Sequence, residues 1–267
     1  MKLQYKKQQF QIDAIEATTS IFEGQPRQNS MSYMMDIGNE KNVTLDIVNG
    51  FKNAAISLSE NDLLQNIQSA QKKNGIPTDN QLMKIAIGGK DKNTSIDNSQ
   101  ESLTLTVEME TGTGKTYTYI KTMLELNKQY GWSKFIIVVP SIAIREGISK
   151  TFESTSEHFK QDYGIGIRHF IYNSSQLDKI EAFASDAGIN VMIVNTQAFN
   201  ARGADARRID MVLDQFRGRR PIDVIAATNP IMIIDEPQSV LGNGSKAELN
   251  ATRVGLAKFN PLFFINY

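Results

Sequence analysis

Three stretches are apolar from end to end and only four or five residues long: Phe135–Val139, Val191–Val194 and Ile231–Ile234. They are too short for helices and rich in β-branched residues. That pattern predicts strands buried on both faces. Between them lie stretches with helical spacing: Ile142–Phe152, Leu177–Ala184 and Arg207–Phe216. Upstream, Leu103, Leu105 and Val107 alternate with Thr104, Thr106 and Glu108, which predicts a strand. A helix follows over Tyr117–Gln129, with Ile120, Met123, Leu124 and Leu126 apolar. Ile165–Tyr172 and Pro261–Tyr267 add further strand candidates. Strands alternating with helices predict an α/β fold, a mainly parallel sheet with helices on both faces.

The first third of the chain is less regular. A helix runs from Phe10 to about Phe22, and Gly24 and Pro26 stop it. Met31–Ile37, Val43–Val48 and Leu82–Ile87 read as short strands. Ser59 caps a helix carrying Leu63, Leu64, Ile67 and Ala70 on one face, and Gly75 ends it. Asp91–Glu101 is polar and reads as an exposed loop. The expected organisation is an N-terminal helix (1–26), an inserted segment (27–101) and the α/β lobe (102–267).

Candidate chemistry sits between the Leu103 strand and the Tyr117 helix, in Met109-Glu110-Thr111-Gly112-Thr113-Gly114-Lys115-Thr116. Strand, glycine loop ending in Lys-Thr, helix: this is the context of a phosphate-binding loop. Thr111, Gly112, Thr113 and Gly114 bring backbone N–H groups close to phosphate oxygens, and the helix points its positive end at them. Lys115 supplies a cation for the β/γ-phosphates, and the Thr116 hydroxyl can ligate Mg²⁺. Met109 occupies the position where the full pattern has its first glycine. The Ile231–Ile234 strand runs into Asp235-Glu236, the complement such a loop needs. Asp235 can hold Mg²⁺, and Glu236 can take a proton from the water that attacks the γ-phosphate. Mg²⁺-dependent hydrolysis of a nucleoside triphosphate is the reaction class expected. The phosphate loop, Ser141, Thr196 and Asp235 all fall at carboxyl ends of expected strands, where parallel sheets bind ligands.

Composition narrows the setting. The 267 residues carry no net charge, so any nucleic-acid contact must rest on local basic surface. There are no cysteines, which excludes disulfides and thiolate-held metals. His158 and His169 lack ligand-like spacing and read as surface or packing residues. No apolar run approaches membrane-spanning length, and the basic N-terminus has no apolar stretch behind it to suggest a signal peptide. A cytoplasmic protein without membrane contact is expected.

The residues taken together resemble a family. Asp235-Glu236-Pro237-Gln238 is similar to the DEAD/DEAH box of superfamily-two helicases, with Gln238 where His is usual. Val107–Tyr117, Val138-Val139-Pro140-Ser141-Ile142-Ala143-Ile144-Arg145-Glu146-Gly147 and Val194–Phe199 resemble motifs I, Ia and the next DNA-contact motif of the restriction (Res) subunit of type III restriction–modification enzymes. In that family Met replaces the first glycine of the loop, as here. The resemblance implies a RecA-like P-loop lobe binding ATP and Mg²⁺. It makes Gln11 the adenine reader, against a solvated helix residue. It also makes Ser141, Arg145, Thr196 and Gln197 contacts to the DNA backbone, against a helix cap and solvated side chains. The cluster Arg202, Arg207, Arg208, Arg217, Arg219 and Arg220 reads as a solvated face or as a second backbone contact. Partners implied are double-stranded DNA, a methyltransferase (modification) subunit, a second RecA-like lobe and a nuclease domain. The chain ends before the family's motif III, so a first motor lobe with little activity of its own is expected. The lobe of another superfamily-two helicase or remodeller is the alternative.

Overall fold

The computed structural model describes residues 6, 8–29, 31–35, 38, 49–88, 99–200, 205–242 and 251–267; for 199–200, 205–207 and 251 only the backbone is described. The expected strand over Val43–Val48 and most of the Asp91–Glu101 loop lie outside the described residues.

Seven strands form the main sheet: β3 (Lys84–Ile87), β4 (Gln100–Thr106), β5 (Lys134–Val139), β6 (Ile167–Ile171), β7 (Ile189–Asn195), β8 (Ile231–Ile234) and β9 (Phe264–Asn266). Their order is β3-β4-β9-β8-β5-β7-β6. All neighbours are parallel except β3, which runs antiparallel to β4 at one edge. A separate antiparallel hairpin joins β1 (Met31–Met34) to β2 (Asn49–Lys52). The expected α/β architecture is therefore observed, and part of the 27–101 segment extends the main sheet through β3.

The apolar runs are buried on both faces by alternation. In β5, Phe135, Ile137 and Val139 face one core while Ile136 and Val138 face the other. Strand β7 divides in the same way, with Val191 and Ile193 opposite Met192 and Val194. The first core is covered by α1 (Gln9–Ser20), α2 (Glu60–Lys73), α3 (Lys115–Tyr130) and α4 (Ile142–Tyr163). The second is covered by α5 (Asp178–Ser185), α7 (Pro221–Ala226), α8 (Pro237–Leu241) and α9 (Ala251–Ala257). A short α6 (Gln197–Asn200) follows β7.

Two expected helices change length or type. Helix α4 runs eleven residues past Phe152, because Phe152, Thr155 and Phe159 keep the buried stripe going until Gly164 ends it at φ 70°. Arg207–Phe216 is not one helix but two 3-10 turns, Asp205–Asp210 and Asp214–Phe216. The second closes on itself: the Leu213 N–H donates to Arg219 O, and Arg217 and Gly218 both take positive φ. Such a reversal leaves no room for a continued helix.

The amino ends of the central strands are closed by buried polar groups. Asn53 Nδ2 donates to Lys134 O (2.8 Å) and Asn229 O (3.0 Å), and its Oδ1 accepts from the N–H groups of Ser133 and Lys134. The Trp132 indole N–H donates to Ala54 O at 2.9 Å. Lys134 is fully buried, and its ammonium donates to Phe183 O (2.7 Å) and to Asp186 O, capping the carboxyl end of α5.

Two predictions follow from this edge. Asn53→Ala strips four backbone groups, three of them buried, of a partner at once, so unfolding free energy should drop by about 3 kcal/mol. A loss under 1 kcal/mol in urea titration would show the clamp to be dispensable. Burial lowers the Lys134 ammonium to about 8, against roughly 10.4 for an unfolded lysine. Between these values the unfolded chain holds a proton that folded Lys134 has released. Stability through this group therefore rises with pH across that window. Relative to Lys134→Met, the native chain should gain stability between pH 8 and 10, by at most about 3 kcal/mol; a pH-independent difference would contradict it.

Candidate functional site

Strand β4 ends at Thr106, and residues 107–114 cross from it to α3. Gly112 (φ 82°) and Gly114 (φ 87°) adopt left-handed backbone, which glycine accepts without a Cβ penalty. Gly114 is the N-cap of α3, so Lys115 and Thr116 occupy the first turn, whose amides have no intrahelical acceptor. Thr113 folds back on the loop, its hydroxyl donating to Glu110 O at 2.6 Å. Thr111 and Gly112 are exposed at the tip. Met109 packs against the first core, which gives an apolar side chain a purpose at a position where glycine is usual.

Gln11 is not a solvated helix residue. It is buried, and its Nε2 donates to Thr113 O at 2.8 Å, tying α1 to the loop. A Cβ on Gly114 would lie 2.6 Å from that nitrogen, so the bond exists because residue 114 is glycine.

Asp235 and Glu236 leave the end of β8, with one strand, β9, between them and β4. Asp235 is buried, and burial raises its carboxyl above the usual range; the Lys115 ammonium opposes this and Glu236 adds to it. Glu236 takes left-handed backbone (φ 54°, ψ 65°), rare for a non-glycine residue and rarer before proline. Its N–H donates to Tyr267 O at 3.1 Å, while its own carbonyl accepts from Ser239 and Val240. The acid is thus held at the N-cap of α8 by contacts on both sides. Tyr267 follows β9 directly, and its hydroxyl shares a hydrogen bond with Thr122 of α3 at 3.1 Å. Neither Tyr267 nor Tyr119, whose rings meet edge to face at 5.4 Å, stands out in the sequence; each reads as an ordinary apolar position.

Among the described residues no three His, Cys, Asp or Glu side chains converge as a metal cage. One buried carboxylate, Asp235, and a hydroxyl, Thr116, at strand ends flanking β9 are the donor types that suit a hard cation arriving with phosphate oxygens, as Mg²⁺ does.

The remaining expected contacts share the same sheet edge. The Ser141 hydroxyl caps α4, accepting from Ile144 N at 3.3 Å. Arg145 pairs with Glu146 at 2.9 Å, and its buried Nε has no partner among the described residues. Thr196 donates its N–H to Val139 O, and Gln197 is exposed at the start of α6. The basic cluster is largely committed elsewhere. Arg219 is buried, lies over Phe216 at 4.4 Å and pairs with Glu181; Arg220 pairs with Asp223. Arg202 lies outside the described residues. Both histidines pack against rings: His158 stacks on Tyr117, and His169 on Phe152 at 4.8 Å.

A model of the family "Type III restriction enzyme, res subunit" matches residues 5–240. The EcoP15I Res subunit of Escherichia coli is 32% identical over 233 residues, which cover 80% of this chain and 22% of that protein. The EcoPI Res subunit of Escherichia phage P1 is 29% identical over 245 residues, 85% of this chain and 23% of that one. The chain thus spans about a fifth of the length of the curated relatives it matches. Of solved structures, the UvsW helicase from Bacteriophage T4 aligns over 80% of this chain and 61% of its own, at 14% identity and a TM-score of 0.34, a superposition too loose to carry weight.

The two glycines of the loop should respond differently to a methyl group. Gly112→Ala meets nothing within 4 Å and costs only backbone strain, about 1 kcal/mol. Gly114→Ala adds the clash with Gln11 and should cost about 2–3 kcal/mol in thermal unfolding. Equal losses would mean that the Gln11–Thr113 bond contributes nothing.

Proposed function

The chain belongs to the type III restriction enzyme res subunit family, and on that footing we propose that it forms the ATP-binding first motor lobe of a DNA-dependent ATPase. In the complete protein this lobe drives an ATP-dependent DNA endonuclease. The carrying observation is the pairing of the phosphate loop with Asp235-Glu236 at strand ends separated only by β9.

Each residue then has a defined task. Gln11 braces the loop and presents its amide carbonyl toward the base edge, where adenine offers a donor. The amides of residues 111–116 and Lys115 receive the phosphates. Thr116 and Asp235 would hold Mg²⁺, whose bound charge offsets that of the phosphates. Glu236, fixed in its left-handed turn, orients the attacking water and accepts its proton. Ser141, Arg145, Thr196 and Gln197, gathered at the same edge, face the backbone of duplex DNA. Arg145 follows the Ser141 cap within the first turn of α4, where its guanidinium, paired with Glu146, would meet a phosphate. Residues 1–26 supply the adenine motif, 27–101 an elaboration, and 102–267 the RecA-like lobe. A modification (methyltransferase) subunit, a second lobe and a nuclease domain complete the working enzyme, acting in the cytoplasm on duplex DNA. No described helix is long and apolar enough to cross a membrane.

Two variants of the complete chain test this reading. Lys115→Ala should lose nucleotide binding. Glu236→Gln should bind ATP normally but hydrolyse it at least about 100-fold more slowly. Unchanged nucleotide affinity in the first, or unchanged turnover in the second, would overturn the assignment.

A further inference from the structure

Tyr267 is buried, and it belongs to two parts of the molecule at once. Its backbone carries β9 into the acidic turn: its N–H donates to Ile234 O at 2.9 Å and its carbonyl accepts from Glu236 N at 3.1 Å, so the two bonds straddle Asp235. Its side chain lies in the first core, against α3. There the hydroxyl shares a hydrogen bond with Thr122 at 3.1 Å, and Thr18 of α1 is its second side-chain partner. Thr122 is fully buried and donates its own proton to Thr118 O at 3.0 Å. Thr118, also fully buried, donates its hydroxyl to Gly114 O at 3.2 Å. A hydroxyl has one proton to give, so the phenol is the donor to Thr122. Polar contacts thus run from the Glu236 turn through Tyr267, Thr122 and Thr118 to Gly114, the N-cap of α3 and the last glycine of the loop. Back-bonding of a threonine to its own helix does not stabilise the helix, and valine would fill the same space. What the Thr122 hydroxyl adds is its bond to Tyr267.

We propose that Tyr267 is a positioning residue for the hydrolytic step: it ties α3, and with it the phosphate loop, to the turn that carries Glu236, and so sets that acid against the terminal phosphate held by the loop. This rests on the ATP-site reading above. Tyr267 touches neither phosphate nor water and acts through the backbone of Glu236. Without its hydroxyl the ladder bonds of β9 remain and the acidic turn still forms, but this tie to α3 is cut. The loss falls on turnover, where a small misplacement of a water-orienting group is felt. It does not fall on capture of the nucleotide, which is the task of the loop.

The test compares the complete native chain with Tyr267→Phe, Thr122→Val, the double variant and Lys115→Ala. Titration with fluorescent N-methylanthraniloyl-ADP and Mg²⁺ counts competent sites, and ATP turnover is expressed per site. Tyr267→Phe and Thr122→Val should each lower kcat about tenfold, the effect of one hydrogen bond, with ADP affinity within twofold of native. The double variant should be no slower than Tyr267→Phe, because both changes cut the same tie. A merely structural tyrosine would lower the melting temperature and leave turnover per site within twofold of native. That result, losses that multiply in the double variant, or a fall in ADP affinity as large as the fall in kcat, overturns the proposal. Native-like ADP binding by Lys115→Ala would instead overturn the nucleotide site itself, and the role of Tyr267 with it.

Discussion

The central strands are apolar along their whole length and covered on both faces, and this constraint governs everything else. Phe135–Val139 and Ile231–Ile234 leave no position along a strand where a polar group could meet a ligand. Each buried aliphatic or aromatic side chain there contributes about 1.5–3 kcal/mol, so an acid inserted mid-strand would be expelled or would unfold the sheet. Chemistry is confined to the ends. At the amino ends the polar groups face one another, as Asn53 does with Ser133, Lys134 and Asn229. At the carboxyl ends Thr111, Gly112 and Gln197 are exposed while Asp235 is buried, and that edge is the one proposed to hold the ligand.

Within that edge the two halves of the proposed phosphate site are held by different means. The loop has freedom from its glycines and is braced by one side chain, Gln11. The acidic turn has no glycine, so Glu236 occupies a conformation that side chains seldom take. Strain of this kind persists only where neighbours over-determine it. Here the Tyr267 carbonyl and the first turn of α8 do so, against the opposing preference of the proline that follows. The backbone of the acidic turn is thereby held on both sides, which suits the water-positioning role proposed for Glu236.

Much of this was legible in the chain itself. The fully buried strands announce themselves by unbroken β-branched runs, and the loop by glycine spacing between an alternating strand and an amphipathic helix. Less was legible where the determinant is long-range. Asn49–Lys52 (Asn-Gly-Phe-Lys) has no strand pattern and becomes β2 only by pairing with Met31–Met34. The 3-10 turns around Ile209 and Phe216 have helical spacing but close through Arg219 from beyond the segment. The length of α4 was available in the Phe152, Thr155, Phe159 stripe and the Gly164 stop, obscured by a run of serines and threonines.

The place of β9 bears on how the protein is born. Thr104 pairs with Phe264, and Met232 pairs with the same residue from the other side. The strand that joins the phosphate loop to the acidic turn is therefore the one synthesised after both. While the ribosome is still extending the chain, β5, β7 and β8 can associate, but β4 has no neighbour toward them. A nascent chain short of β9 would carry the residues proposed for the nucleotide site with the loop and the acidic turn not yet joined. Vectorial synthesis thus places the joining of the loop to the acidic turn after residues 264–266 are made.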